Sequence, residues 1–527
     1  MKHPFEAFLE AFIPKVALLQ KRTYKLLWIL ETTGSKDASD LKAELDTELK
    51  LLFHDPKAYE QLLKWEKDPE IEDPLLKRQL KLLLFEFKKN QLPEELLHEI
   101  SVREANIVLA YGNFRAECEG KKLSENQILD LLENEEDPEK RKKAWEASKQ
   151  IGSFLAPQIL ELVELRNRAA KSLGYPDFFQ MQLELQEVNQ SWLLETFETL
   201  GKASNAAYNK VLEKIEQSQM QRFRVSREEL GPWAWNNPFC QEDPIDAQEI
   251  DTLVENVDLV QIGTDFFDKM GFDVRPILAR SDMYEKEGKN QHAFCINIDR
   301  DKDIRTLNNV RPTIKWLETV LHELGHAVYE LGYDSSLPWL LREPPHMLTT
   351  EAMALLCGRQ AYRLAPLKQM LPNALSKETT MRKAEEGLRR RQLIFSRWVM
   401  VMTEFERALY SNPKQNLNAL WWSLVEKHQK IRMPKGREEC QDWAAKVHIG
   451  MAPVYYFSYL LGEMYASALH AELSSKEHIN TVEAGKFFRE YVFKPGCSLS
   501  WDKLVEHSTK KPLSCDAWLE EFATNHE

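Results

Sequence analysis

The stretch from Leu317 to Tyr329 reads LETVLHELGHAVY and places His322 and His326 four residues apart. On a helix that spacing stacks both imidazoles on one face, one turn apart, where both reach a single zinc ion. Glu323, beside the first imidazole, is placed to take a proton from an attacking water rather than to bind the metal. The chemistry this pattern predicts is zinc-assisted hydrolysis with Glu323 as general base. Leu317, Val320, Leu321, Leu324 and Val328 recur at helical spacing, so the motif rides on a helix whose apolar face is packed in a core. Gly325 costs such a helix roughly 1 kcal/mol relative to Ala, a cost that close approach of a neighbouring element offsets.

A catalytic zinc takes three protein ligands and keeps one position open. Tyr329 and Gly332 stand where a metzincin has Gly and a third His, which excludes that class. Glu343, His346 and Glu351 remain as candidates for the third ligand. Glu343 precedes Pro344-Pro345, which favours extended backbone. Glu351 follows Thr349-Thr350, residues of N-cap type, and opens a helical run, EAMALLCGRQAYRL. A carboxylate on the first turn of a helix packed beside the motif helix suits a rigid site. Local chemistry alone leaves the choice open.

The elements that carry these residues are mostly helical. Leu41–Leu52, Tyr59–Trp65, Leu75–Phe87, Arg141–Leu173 (closing at Gly174) and Leu193–Ile215 show apolar residues at three- and four-residue spacing. Alternating runs are scarce; His292–Ile298 (HAFCINI) is the one strand candidate. Trp, Asn and Pro cluster between Gly231 and Pro244, which reads as a loop inside one fold. The expected class is all-α with a few short strands.

Composition narrows the partners. The chain has 527 residues and a net charge of −13, which disfavours nucleic acid, a partner that needs a basic surface. No run of 18 apolar residues occurs, so no membrane span is expected. Met1–Gln20 alternates apolar with charged residues and lacks the apolar stretch and cleavage site of a signal peptide. The seven cysteines are scattered without a C-x-x-C pair and read as reduced thiols, which places the protein in the cytoplasm. No linker or internal repeat separates the halves. Residues 1–527 are therefore read as a single helical fold.

With these residues in view, the motif region resembles the gluzincin peptidases of the angiotensin-converting enzyme family and the related thimet oligopeptidase family. Leu317-Glu318-Thr319 looks like the oligopeptidase form. Both families take their third ligand from a Glu about 25 residues past the second His, and Glu351 lies 25 past His326. His292-Ala293, 30 residues before His322, resembles the pair that holds the substrate backbone. Lys446-Val447-His448 and Tyr455-Tyr456-Phe457-Ser458-Tyr459-Leu460 resemble the C-terminal catalytic segment. By that resemblance His448 and Tyr459 stabilise the oxyanion, and Lys446 and Tyr456 bind the free C-terminal carboxylate of the peptide. Trp145–Tyr175 resembles an N-terminal helical segment of the converting-enzyme family.

The resemblance implies a two-lobed helical ellipsoid with a deep central channel. The zinc and catalytic segments lie within residues 285–470, and the N-terminal helical region 1–100, which carries no motif, is expected to cover the channel. It also implies one zinc per chain and short, unfolded peptides as substrates. Release of C-terminal dipeptides is the expected activity, endo-acting oligopeptidase the alternative, and an inactive peptide-binding protein on the same fold a further one. Three departures stand out. Leu355 replaces an acidic residue that orients a ligand His, and Ser458 replaces a chloride-binding Arg. Trp233-Ala234-Trp235 stands near where the converting-enzyme family has a Gln, the third partner of the carboxylate. The carboxylate anchor is therefore expected to consist of Lys446 and Tyr456 alone.

Overall fold

The computed structural model describes residues 2–245, 248–474 and 478–524. Helices make up most of the described residues, and strands occur only in two short antiparallel pairs, Ala116–Cys118 with Lys121–Leu123 and Phe294–Asn297 with Ile304–Leu307. The all-α class follows. The chain forms two units, one of Met1–Gln91, Gln248–Glu385 and Leu461–Ser514, the other of Leu92–Ala247, Glu386–Leu460 and Cys515–Glu527. No described helix is long and apolar enough to cross a membrane.

In the first unit the helices Pro4–Thr33, Lys36–Phe53, Pro56–Glu66 and Pro74–Lys89 pack around Phe5, Leu62, Leu83 and Phe87. Their starts are set by local chemistry. Asp55-Pro56 and Asp73-Pro74 each supply a capping carboxylate followed by a Pro whose missing N–H is not needed there. The motif helix, Ile314–Leu331, is capped by Thr313, and its five apolar-stripe residues are all buried as the spacing requires. It packs on the helix Met347–Gly358. At the crossing, a Cβ on Gly325 would stand 2.9 Å from Ala354 Cα, which is the close approach that the glycine implied.

The strand begins at Phe294, two residues later than the alternation suggested, so His292 and Ala293 precede it. Phe294 pairs with Leu307 and Asn297 with Ile304. The other edge of this strand has no partner strand among the described residues.

In the second unit the long helix is Pro138–Ser172, begun by Asp137-Pro138 and followed by Gly174 at φ +87°. The helix expected over Leu193–Ile215 is two, Gln190–Ala203 and Asn205–Phe223, broken at the buried Ser204. There the guanidinium of Arg397 donates to Gly201 O, a carbonyl that a continuous helix would use, and to Ser204 Oγ. Gly152 admits the turn Asp442–Ala445 so closely that a Cβ would meet Gln441 O at 2.2 Å. That turn leads directly into Lys446 and His448.

Gly325→Ala is expected to destabilise the protein despite the better helix propensity. The clash is with backbone, so overpacking of about 1–3 kcal/mol outweighs the gain of about 1 kcal/mol from replacing Gly. The midpoint of urea unfolding measures the net change, and an unchanged or raised midpoint shows that the two helices separate freely.

Candidate metal centre

Two helices of the first unit build the cluster. His322 and His326 project from the motif helix with ring centroids 4.8 Å apart. Glu351 reaches them from Met347–Gly358, with its carboxylate oxygens 3.7 Å from His322 Nε2 and 4.0 Å from His326 Nε2. These separations are too long for hydrogen bonds and suit donors arranged around one ion; the three ligand atoms lie within 4.8 Å of one another. Burial pushes His322 down to about 3 and His326 well below its ordinary range, so both imidazoles are neutral and fit to bind metal. Burial, with Glu463 nearby, raises Glu351 to about 7, and burial with Glu351 raises Glu323 to about 8. Glu323 Oε2 is buried with no hydrogen-bond partner. Neutral imidazoles beside two buried carboxylates form a pocket that a divalent cation completes electrostatically, and two His with one Glu are the donor set of a hydrolytic zinc site.

The orienting contacts differ from those expected. Leu355 offers no polar group, but Thr350 Oγ1 lies 2.7 Å from His326 Nδ1 and fixes the ring with Nε2 towards the cluster. Helix Met347–Gly358 is capped by His346, whose Nδ1 accepts the Leu348 N–H, not by Thr349 or Thr350. Glu351 therefore sits on the second turn rather than the first. The rivals for third ligand have other roles: His346 is the cap, and Glu343 pairs with Arg300 at 2.6 Å. A second group, His3, Asp68 and Glu70, also gathers ligand atoms among the described residues. There His3 Nδ1 accepts the Phe5 N–H, so Nε2 carries the proton and donates to Asp68 Oδ2 at 3.3 Å. This is a helix cap with a partner, not a free metal ligand.

His292 is exposed and Ala293 half-buried, just ahead of the strand in the same unit. Lys446, His448, Tyr456 and Tyr459 belong to the second unit and cluster with one another. The His448 ring lies 4.9 Å from that of Tyr456, which lies 5.3 Å from that of Tyr459. His448 is held neutral, down to about 4, by burial and by Lys446. Lys446 is buried, and its ammonium lies 5.3–5.4 Å from the ring centroids of Phe239, Trp398 and Tyr456.

Its hydrogen-bond partner is a residue that the sequence did not reveal. Gln241 Oε1 accepts from Lys446 Nζ at 3.2 Å and from Tyr456 Oη at 3.3 Å. The expectation of a two-membered cluster is corrected: a Gln is present, seven residues past Ala234. It lies in an irregular loop, where neither helical nor strand periodicity marks a residue's direction. Only its type, in a chain lacking Gln at the expected place, was a signal.

A mainly helical chain with an HExxH helix whose imidazoles meet a Glu carboxylate from a neighbouring helix is a zinc metallopeptidase of the gluzincin class. Comparison with known families gives the same answer. The family model for peptidase family M3 matches residues 131–524, and the chain belongs to that family. The family model for angiotensin-converting enzyme matches residues 2–212, which extends the likeness into the first hundred residues. Among individual proteins, the chain is 24% identical over 489 residues to angiotensin-converting enzyme-like protein Ace3 of Mus musculus, covering 82% of this chain and 64% of that one. It is 24% identical over 494 residues to angiotensin-converting enzyme of Haematobia irritans exigua, covering 78% and 74%. With that of Oryctolagus cuniculus it shares 25% over 294 residues, covering 51% of this chain and 22% of the relative. The chain thus spans slightly less than two thirds of the length of the Ace3 relative.

His326→Ala is expected to remove stoichiometric zinc and all activity, read by metal analysis of the dialysed protein. Thr350→Val keeps the ligands but frees the His326 ring. Zinc affinity is expected to fall about 10- to 100-fold, and competition against a chelator measures it.

Proposed function

We propose that this peptidase acts on short peptides and releases dipeptides from free C-termini. The observation that carries the reading is the trio Lys446, Tyr456 and Gln241. A buried ammonium, a phenol and a carboxamide share one point, and among the described residues no carboxylate forms a salt bridge with the ammonium, Glu242 and Glu125 acting on it only at longer range. Gln241 Oε1 takes the place that a carboxylate oxygen of the substrate would take. When the carboxylate arrives, Lys446 and Tyr456 donate to it and the Gln241 amide turns its N–H₂ to it.

The remaining roles follow from chemistry and from the family resemblance. His322, His326 and Glu351 would hold the zinc, which when bound polarises a carbonyl and makes a water acidic enough to attack near neutral pH. Glu323 Oε2 takes the proton of the attacking water, and a bound divalent cation would favour its ionised form. It then delivers that proton to the leaving amine nitrogen. Tyr459 Oη and a His448 N–H donate to the carbonyl oxygen as it gains charge, each worth about 3–4 kcal/mol when well placed. The backbone at His292-Ala293 and the open edge of the Phe294–Asn297 strand pair with the substrate as an added strand. The seven free cysteines support a reducing compartment, the cytoplasm.

An endo-acting oligopeptidase is the second reading. It is favoured by Leu317-Glu318-Thr319 before the motif and by the match to peptidase family M3 over most of the chain. Matched peptides with a free and an amidated C-terminus separate the two. The first reading expects kcat/KM to favour the free acid by about 2–3 kcal/mol, roughly 30- to 150-fold, from charge-assisted hydrogen bonds. Equal cleavage of both forms at internal bonds selects the second.

Two further outcomes test the roles. Glu323→Gln is expected to retain zinc and lose several orders of magnitude in kcat, and Tyr459→Phe to lose about 10²–10³ in kcat with little change in KM. Loss from Tyr455→Phe and none from Tyr459→Phe would move the donor to the other ring. The pH profile reports on Lys446. Burial lowers it to about 8, against the raising effect of Glu242 and Glu125. It is a cation below that pH and neutral above it. For free-acid peptides kcat/KM should therefore fall as pH rises through about 8, whereas the amidated peptide shows no such limb. A common limb in both peptides removes Lys446 from the anchor.

A further inference from the structure

Gln241 follows a backbone turn that ordinary residues avoid. Cys240 has φ +54°, in the left-handed region, although it carries a side chain and that side chain is buried. Around this point the loop is held at several places. Arg141 donates to Trp233 O and Trp235 O, and Trp145 Nε1 donates to Pro238 O. The Cys240 N–H donates to Asn237 O at 3.0 Å, but none of these bonds reaches Phe239 O or Cys240 O, the two carbonyls that flank the turn itself.

Gln429 does. It is the last residue of the helix Leu417–Gln429 and is 1% exposed. Its Nε2 donates to Phe239 O and to Cys240 O, each at 3.0 Å. Its own carbonyl accepts from the buried Tyr208 Oη at 2.8 Å, which pins the end of the helix. The orientation of two successive carbonyls depends on the residue between them. In an extended residue they point to opposite sides; in a helical residue of either hand they point to the same side. One amide nitrogen can bridge Phe239 O and Cys240 O only while Cys240 is not extended, and the conformer it holds here is the left-handed one. An extended Cys240 would break one bond and swing the Gln241 side chain away from Lys446 and Tyr456.

We propose that Gln429 is a positioning residue for C-terminal carboxylate recognition: its paired bonds select the left-handed Cys240 conformer and thereby aim Gln241. The inference rests on the reading of Lys446, Tyr456 and Gln241 as the carboxylate anchor. Gln429 touches neither substrate nor reacting atoms. Its effect is on the binding of free-acid peptides and not on the chemical step.

The test uses the zinc-loaded full chain, a free-acid peptide and its C-terminal amide. Q429M keeps the length of the side chain and removes both donors. It is expected to raise KM for the free acid about tenfold, as loss of one well-placed bond to a charged group does. The kcat for the free acid, and both constants for the amide, should stay unchanged. Adding C240G to Q429M should restore KM, because Gly adopts the left-handed conformation without the side-chain penalty. A residue that served only to fill space is not rescued by removing a second side chain. Circular dichroism and thermal melting check folding. If Q429M does not fold, Q429N, one methylene too short to bridge both carbonyls, must give the same selective rise. A folded variant that leaves KM unchanged, one that slows both peptides alike, or a failure of C240G to restore KM overturns the proposal. Q241A separates this from the reading beneath it. If Q241A abolishes the preference for the free acid while folded Q429M keeps it, the positioning role alone falls. If Q241A keeps the full preference, the anchor falls and the positioning role with it.

Discussion

The metal centre depends on how closely two helices cross. Ile314–Leu331 and Met347–Gly358 meet where Gly325 leaves room for Ala354. That contact brings a carboxylate from one helix to two imidazoles on the other without a flexible loop between them. A side chain at 325 would push the helices apart and lengthen the Glu351–His separations, which now suit a single ion. The same crossing buries Glu323 and Glu351 together, a costly arrangement for two carboxylates without a cation. Metal binding and the packing of these helices are therefore thermodynamically linked: the ion that the site holds also relieves the repulsion that the packing creates.

The cluster of Lys446, Tyr456 and Gln241 in the second unit presents the opposite problem, a buried cation rather than buried carboxylates. Lys446 is surrounded by the faces of Phe239, Trp398 and Tyr456 and is hydrogen-bonded to a neutral amide. Aromatic faces stabilise an ammonium without cancelling its charge. A carboxylate in place of Gln241 would hold the lysine more tightly and compete with any anionic ligand. The neutral partner satisfies a hydrogen bond and leaves the charge unmatched. Burial lowers the lysine to about 8, so it remains mostly charged at neutral pH but not far above it.

In the second unit the backbone takes costly forms close to groups proposed for function. Cys240 and Val454 are non-glycine residues in the left-handed region, one before Gln241 and the other shortly before Tyr456. Each is held by a buried side chain: Gln429 bridges the carbonyls at Cys240, and Glu406 accepts the Val454 N–H at 2.8 Å. Such conformations persist only where the surroundings over-determine them.

Much of this was legible in the residues themselves. His322 and His326 are four apart on a helix with an unmistakable apolar stripe, so local geometry alone sends both rings to one side. Gly325 in the middle of that helix signalled a close neighbour, though not which one. The third ligand was another matter. Glu343, His346 and Glu351 are chemically similar choices, and local sequence could not say that His346 would cap the helix or that Glu343 would face Arg300. Those outcomes depend on contacts across hundreds of atoms of packed chain. Thr350 as the partner of His326, the break at Ser204 imposed by Arg397, and Gln241 beside Lys446 are of the same kind. Periodicity reports which face of a regular element is buried, because the repeat is built into the backbone. It says nothing about the aim of a side chain in an irregular loop, which is decided by distant residues such as Gln429 that meet it only when the chain is folded.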